Sequence, residues 1–347
     1  MNLLLVLTGG TICSGVRDGL RTLDTETASL RLVEGFRRSG SPFAGSVRFT
    51  AGERFHTLSE NMTVSVWNRM LDYFRTVDFS AFDGVIIAHG TDTLAYTASL
   101  FALLLTGTGV PVVFVSSNAP LEHGNAYANG SANFRAAVEC IGYRIPPGVY
   151  VTYRNVTDRR MYLHRACRLR QCGDYSEDFH STGALDITNL RAETLSGVAG
   201  TRPLSGPLLY AADGSLTDCV LNIRPYVGIR YDAYKVEAFR AVLHGTYHSG
   251  TACVGDARGP ESVLYLLDRC ADAGTDLYLS PARNQGEVYD TVPVILGHVR
   301  NGGRIQPLYG MTEETAFCKL LLYYSCEGVR TRLPDFLTCN FCGEMLE

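Results

Sequence analysis

The chain has 347 residues, a hydrophobic fraction of 46% and a net charge of −4. Its length suggests two domains, at roughly 150 residues each, and its hydrophobic content is ample for packed cores. The charge gives no argument for a nucleic-acid partner, and no run approaches the roughly 18 apolar residues of a membrane span.

Taken in chain order, the first expected element is a strand over 3–7. It has no basic flank and no small-residue cleavage site, so it reads as a strand and not as a signal peptide. It breaks into Thr8-Gly9-Gly10-Thr11. A helix fits 63–76. A strand over 84–88 then breaks into His89-Gly90-Thr91-Asp92-Thr93 and leads into a helix over 94–106, with Asp92 in its first turn and Gly107 past its end. A strand at 111–117, a helix at 130–141 and a strand at 148–153 follow. These strands are rich in Val, Ile and Leu, as strands buried on both faces are. Strands alternating with helices imply a mostly parallel α/β sheet.

The expected division is a large domain over 1–194, a Gly/Pro/Ser-rich linker over 195–216 and a smaller α/β domain over 217–347. The smaller domain reads as strands 218–223, 241–244, 275–280 and 292–296, with helices 233–240, 261–272 and 313–326. Eleven Cys without a repeating spacing fit reduced thiols in a cytoplasmic protein better than a disulfide framework. Cys339 and Cys342, even with Cys326 nearby, lack a second ligand pair and read as surface thiols, not a metal site. No Walker loop or Gly-x-Gly-x-x-Gly after a strand is present, and neither metal nor cofactor is expected. Of 31 basic residues, only Lys235 and Lys319 are lysine.

The two Gly/Thr turns carry the chemistry. The first delivers a hydroxyl at the mouth of a sheet, and the second delivers a hydroxyl beside a carboxylate. They can meet at the carboxyl ends of neighbouring parallel strands, where open α/β sheets bind ligands. A nucleophile and a substrate anchor converging there would make an amide hydrolase. Each turn also has a plainer reading of its own. Thr11 reads as a helix N-cap, Asp92 as a cap favouring the dipole of helix 94–106, and His89 as a turn residue with a satisfied hydrogen bond. Ser59 alone means nothing.

Together, Thr8-Gly-Gly-Thr-Ile and His89-Gly-Thr-Asp-Thr resemble the two signature motifs of the bacterial-type L-asparaginases. Weaker likenesses run along nearly the whole chain: Ser59-Glu-Asn-Met-Thr, Pro111-Val-Val-Phe-Val-Ser-Ser-Asn-Ala-Pro-Leu, Asn129-Gly-Ser-Ala-Asn133, Leu221-Asn-Ile-Arg-Pro-Tyr-Val-Gly, and Met311-Thr-Glu-Glu-Thr-Ala-Phe-Cys-Lys-Leu. The resemblance implies a large flavodoxin-like domain followed by a smaller α/β domain. It also implies a cytoplasmic homodimer or homotetramer with active sites at subunit contacts, acting on a small amino-acid substrate.

By that resemblance Thr11 is the nucleophile and Thr91 the second catalytic threonine. Asp92 pairs with the substrate α-ammonium and Ser59 holds its α-carboxylate. Gly10 and Gly90 line the substrate, and the backbone N–H groups of Thr11 and Thr91 suit a developing oxyanion.

The pattern departs from the family at its proton-handling positions. The family's active-site lysine falls on Arg168 or Arg170. Arginine stays protonated, with a pKa above about 12, so it cannot accept a proton. The tyrosine of the lid after the first threonine is replaced by Leu20, leaving Asp18 as the titratable group of that lid. Asn129 replaces the usual Asp of its motif, and His248-Ser-Gly-Thr251 replaces a Gly-x-Gly-Asn segment. Two readings follow: an amidohydrolase for asparagine or a related side-chain amide, or a catalytically impaired amino-acid-binding relative.

Overall fold

A computed structural model describes residues 1–17, 20–121, 127–198, 207–256, 259–283, 286–332 and 335–346. It divides into two compact units. One holds Met1–Tyr210 and Phe341–Gly343, and the other holds Ala211–Asn340 and Glu344–Glu347.

The first unit runs β1 (Asn2–Leu7), a hairpin of β2 (Ser14–Arg17) and β3 (Leu20–Leu23), α1 (Thr25–Arg37), β4 (Arg48–Arg54), α2 (Val64–Arg75), β5 (Gly84–Ala88), α3 (Leu94–Leu105), β6 (Pro111–Val115), α4 (Gly130–Gly142), β7 (Gly148–Arg154) and β8 (Met161–Arg165). Short strands β9 (Leu169–Arg170), β10 (His180–Ser181) and β11 (Leu185–Asp186) follow. Its described residues form a seven-stranded sheet in the order β11-β8-β7-β6-β5-β1-β4. The strands from β4 to β7 pair in parallel, while β8 and β11 add antiparallel pairs at the far edge.

This order fixes where a ligand goes. From β1 the chain crosses to β4 on one side and then to β5 on the other. The β1–β5 boundary is therefore the point where strand order reverses, and a crevice opens at the carboxyl ends of such strands. The apolar runs of β1, β5 and β6 are buried along almost their whole length. Helix α3 is apolar on nearly every face, and all its residues except Tyr96 are buried, as expected of a helix enclosed by the core.

Among the elements of this unit not legible as strand or helix are β4, α1 and β8. β4 is an edge strand with alternating exposure and two arginines, so it lacks a run of Val, Ile and Leu. α1 has its signal in Asp24, whose carboxylate accepts from the Thr27 amide at 3.1 Å, and in Ala28, Leu32 and Phe36 at every fourth position. β8 pairs with β7 through the turn after Arg154.

The second unit carries β12 (Val220–Ile223), β13 (Ala241–His244), α5 (Val263–Ala273), β14 (Asp276–Ala282), α6 (Thr291–Gly297), β15 (Val299–Arg300), β16 (Gly303–Tyr309), α7 (Glu313–Ser325) and α8 (Glu327–Arg332). Its sheet order is β12-β13-β14-β16-β15. Two expectations are corrected here. Residues 292–296, read as a strand, lie in α6; a short apolar run does not tell strand from helix by itself, and β16 is the strand that pairs with β14. Residues 233–240 form no α-helix, only single 3-10 turns at Tyr231–Ala233 and Val236–Ala238 before the chain enters β13.

The division of units falls between Tyr210 and Ala211, within the stretch read as a linker. Residues 199–206 of that stretch lie outside the described residues, and Leu208 and Leu209 are buried in a 3-10 turn. The surface reading of the last cysteines also needs correction. Cys342 is buried, and its carbonyl accepts from the Cys167 thiol at 3.4 Å. Lys319 is fully buried, and its Nζ lies 2.6 Å from both the Glu344 carboxylate and the Cys339 carbonyl. Among the described residues no helix is long and apolar enough to cross a membrane, and no group of three or more His, Cys, Asp and Glu could hold a metal ion.

Candidate active site

Three loops leave the carboxyl ends of the adjacent strands β4, β1 and β5. The ladder extends into them: the Thr8 amide and hydroxyl both donate to the Ala88 carbonyl, at 2.9 and 3.0 Å, and the Thr57 amide donates to the Thr8 carbonyl at 2.8 Å. Thr8 is therefore a structural clamp that fixes the start of the β1 turn.

Beyond Thr8 the chain turns at Gly10, with φ 74 and ψ −170, a conformation that costs a residue with a Cβ. Space imposes the same choice. A Cβ on Gly10 would land on the backbone of Gly90, and one on Gly90 would lie 2.9 Å from the Gly10 Cα and collide with the Ser59 side chain. The two signature turns thus pack backbone against backbone, with Ser59 against Gly90. Thr11 follows Gly10 at the first position of the 3-10 turn Thr11–Cys13 and is half-buried, as is Thr91.

Ser59 is buried and donates its hydroxyl to Asp92 Oδ2 at 2.6 Å. Thr93 donates its hydroxyl to the Ser59 carbonyl at 2.9 Å. The plainer reading of Asp92 as a helix cap is not what the geometry records. Thr93 is the N-cap residue of α3, no side chain caps that terminus, and the Asp92 carboxylate turns to Ser59. Asp92 is exposed, so it can meet a ligand from solvent.

His89 is fully buried. Its Nδ1 lies 2.7 Å from the Gly90 carbonyl, which can only accept, so Nδ1 carries the proton. Burial pushes its pKa down to about 4, against the opposing pull of that hydrogen bond and of the Asp92 charge. His89 is thus a neutral brace under the Gly90 turn. The nearby Cys172 thiol is pushed up to about 12, first by burial and then by the charges of Asp178, Glu177 and Asp92, so it is not a thiolate.

The segment matched to the family's lysine follows β8. Arg168 is half-buried, and its Nε donates to the Gly343 carbonyl at 2.5 Å, while Arg170 is exposed. The contact to the β5 turn comes from the next residue. Gln171 Nε2 donates to the carbonyls of Asp92, at 2.5 Å, and Thr91, at 3.2 Å. Sequence reasoning missed Gln171; its signal was adjacency to the lysine position. Asp18, expected in the lid, lies outside the described residues, as does the Leu20 side chain.

Asn129, in place of the family's Asp, is structural. Its Oδ1 accepts from the Asn118 amide at 3.0 Å, its own amide donates to Asn118 Oδ1 at 2.9 Å, and its Nδ2 reaches the Arg154 carbonyl at 2.7 Å.

A family model described as asparaginase, N-terminal, matches residues 2–194. The chain belongs to the asparaginase family. It is 26% identical over 298 residues to a glutamyl-tRNA(Gln) amidotransferase subunit of Halobacterium salinarum, covering 83% of the chain and 67% of that protein. It is 23% identical over 351 residues to the protein of the same name from Methanothermobacter thermautotrophicus, covering 99% of the chain and 76% of that protein. Among solved structures, the thermostable L-asparaginase from Thermococcus kodakarensis superposes with a TM-score of 0.74 at 22% identity, over 100% of both chains. L-asparaginase I from Vibrio cholerae superposes with a TM-score of 0.67 at 21% identity, over 100% of the chain and 99% of the other. These solved structures and the present chain share one fold: a large, mostly parallel sheet followed by a smaller α/β unit.

Proposed function

We propose that the chain is a threonine amidohydrolase that hydrolyses L-asparagine, or a related side-chain amide, to the acid and ammonia. The observation that carries this reading is the backbone contact of Gly10 with Gly90, which sets Thr11 beside the turn bearing Thr91 and Asp92. Thr11 is the nucleophile. Its attack on the amide carbon expels ammonia and leaves an acyl ester on Thr11, which water, steered by Thr91, then hydrolyses. Asp92 binds the α-ammonium, Ser59 the α-carboxylate, and the amides of Thr11 and Thr91 the oxyanion. Active copies assemble as dimers or tetramers.

Two observations favour testing other readings beside it. The relatives whose names mark them as parts of a glutamyl-tRNA(Gln) amidotransferase make glutamine and a partner protein the first alternatives. Arg168, bonded to Gly343 and unable to take a proton, favours an amino-acid binder with little turnover.

Ammonia release from asparagine, glutamine and small amides, by wild type and Thr11→Ala, separates these readings. Turnover abolished by Thr11→Ala supports the hydrolase. A rise in melting temperature with asparagine or aspartate, with turnover at background, supports the binder. No effect of any amino acid sinks both.

A further inference from the structure

At the far edge of the large sheet lies a cleft of about 520 Å³ that the amide chemistry does not use. It is bounded by α4, the β7–β8 hairpin and the loop after β11, wholly within the first unit. Among the described residues four guanidiniums line it, those of Arg135, Arg154, Arg159 and Arg191, against the single carboxylate of Glu139. That carboxylate is already held by Arg135 Nε at 2.7 Å. Asp186 is not in the lining and is engaged by Arg160 at 3.4 Å and by the Thr188 hydroxyl at 2.6 Å. Among the described residues, the side chains of Arg154, Arg159 and Arg191 make no ion pair, whereas their neighbour Arg160 does. A chain of net charge −4 thus keeps a concave patch of unneutralised arginine, and clefts concentrate the field of such groups.

The backbone fixes the position of one of these arginines. Arg159 sits at the tip of the hairpin with φ 61, the left-handed region that favours glycine. The hairpin is held on both sides of it: Asp178 Oδ1 accepts from the amides of Val156, at 2.6 Å, and Thr157, at 3.2 Å, and the Asn155 amide donates to the Arg160 carbonyl at 3.0 Å. An arginine stands where glycine would fit with less strain. Arg154 and Arg159 also line a second cleft of about 360 Å³. The floor of the larger cleft is apolar, with Met161 and Ile187.

We propose that this cleft binds a small molecule carrying two or more phosphate groups. Planar guanidinium forks match phosphate oxygens in pairs, several arginines answer the charge of a diphosphate or triphosphate, and the volume is that of a small-ligand site. The apolar floor suits a base or another flat group beside the phosphates. The ligand is read by binding alone, so the outcome does not depend on whether Thr11 is a nucleophile.

The test is isothermal titration of the full chain with sodium pyrophosphate and with ATP, at low salt and without added metal, for wild type, Arg159→Gly, Arg191→Gln and Arg160→Gln. Saturable binding is expected in wild type, at least tenfold weaker in Arg159→Gly and Arg191→Gln and unchanged in Arg160→Gln. Because glycine suits φ 61, Arg159→Gly should melt no lower than wild type, so its loss of binding is not a loss of fold. ATP binding more tightly than pyrophosphate identifies a nucleotide; equal affinities identify an inorganic diphosphate or polyphosphate. Absence of saturable binding, or affinities that ignore Arg159→Gly and Arg191→Gln, overturns the proposal. So does an RNA hairpin that outcompetes ATP, which would make the cleft part of an RNA surface.

Discussion

Ser59 Oγ lies 2.6 Å from Asp92 Oδ2, so two side chains from loops after β4 and β5 act as one polar unit at the mouth of the sheet. A hydrogen bond to a charged group contributes about 1.5–3 kcal/mol. Ser59→Ala is therefore expected to weaken amino-acid binding roughly 10- to 100-fold while kcat changes less. Kd from titration with asparagine, beside KM and kcat for ammonia release, checks this. An unchanged Kd would separate Ser59 from the ligand.

Gly10→Ala tests the contact on which the proposed function rests. The added methyl meets the Gly90 backbone and must also adopt φ 74. The conformation, one open essentially to glycine alone, costs about 1–3 kcal/mol, and the collision adds to it. Melting temperature should fall and ammonia release should be lost. A variant that melts and turns over like wild type would mean the two turns are free to separate.

Three buried histidines predict an acid-sensitive fold. Burial lowers His89 and His244 to about 4 and His164 to about 3. The unfolded chain takes up these protons below about pH 6.5, whereas the folded chain keeps the rings neutral until about pH 4 or lower. Stability is therefore full above about pH 6.5 and falls as the pH drops through that window, by at most about 1.4 kcal/mol per pH unit for each histidine. Urea midpoints between about pH 7.5 and 5 measure the slope, which His164→Gln should reduce. A flat profile would show that these rings are solvated.

Lys319 and Glu344 form an ion pair in which both side chains are 0% exposed. Removing one partner of such a pair costs about 3–5 kcal/mol, because the other charge stays buried, whereas apolar replacement of both is often close to neutral. Lys319→Met should therefore be strongly destabilised in guanidinium denaturation, and Lys319→Met with Glu344→Leu should recover most of the loss. Equal midpoints for single and double variants would argue against coupling.

The arginine segment separates positioning from proton transfer. Arg168→Lys should preserve or raise turnover and Arg168→Ala should depress it, if Arg168 occupies the lysine's place. Gln171→Ala removes the donor to the carbonyls of Thr91 and Asp92 and should lower kcat/KM by about fivefold, as for a lost hydrogen bond of roughly 1 kcal/mol. Rescue by Gln171→Asn, with its shorter reach, is not expected.

The sheet's parallel centre was legible because β1, β5 and β6 are uninterrupted apolar runs, a pattern that burial on both faces demands. β4 was not: it is an edge strand whose register with β1 supplies what its polar residues do not advertise. The VPVIL run of α6 shows the reverse failure, since length and apolarity suited a strand and only the presence of β16 in the sheet decides the matter. At the candidate site, Thr11, Thr91 and Asp92 are proposed because two glycine-bearing turns together resemble family motifs; either turn alone reads as an ordinary cap. Gln171 could not be named, since one glutamine in a polar stretch carries no periodicity and acquires a role only when β8 brings it to the β5 turn. Nor could the arginine cleft, whose members are scattered from position 135 to 191 and meet only through the hairpin.

Phe341–Gly343 belong with the first unit, although the residues on both sides of them belong with the second. That unit is discontinuous, and severing the chain once after Tyr210 does not release it whole. A fragment ending there lacks the buried ring of Phe341 and the carbonyl that receives Arg168. Excising the large domain for study requires the tripeptide to be supplied in trans or spliced back.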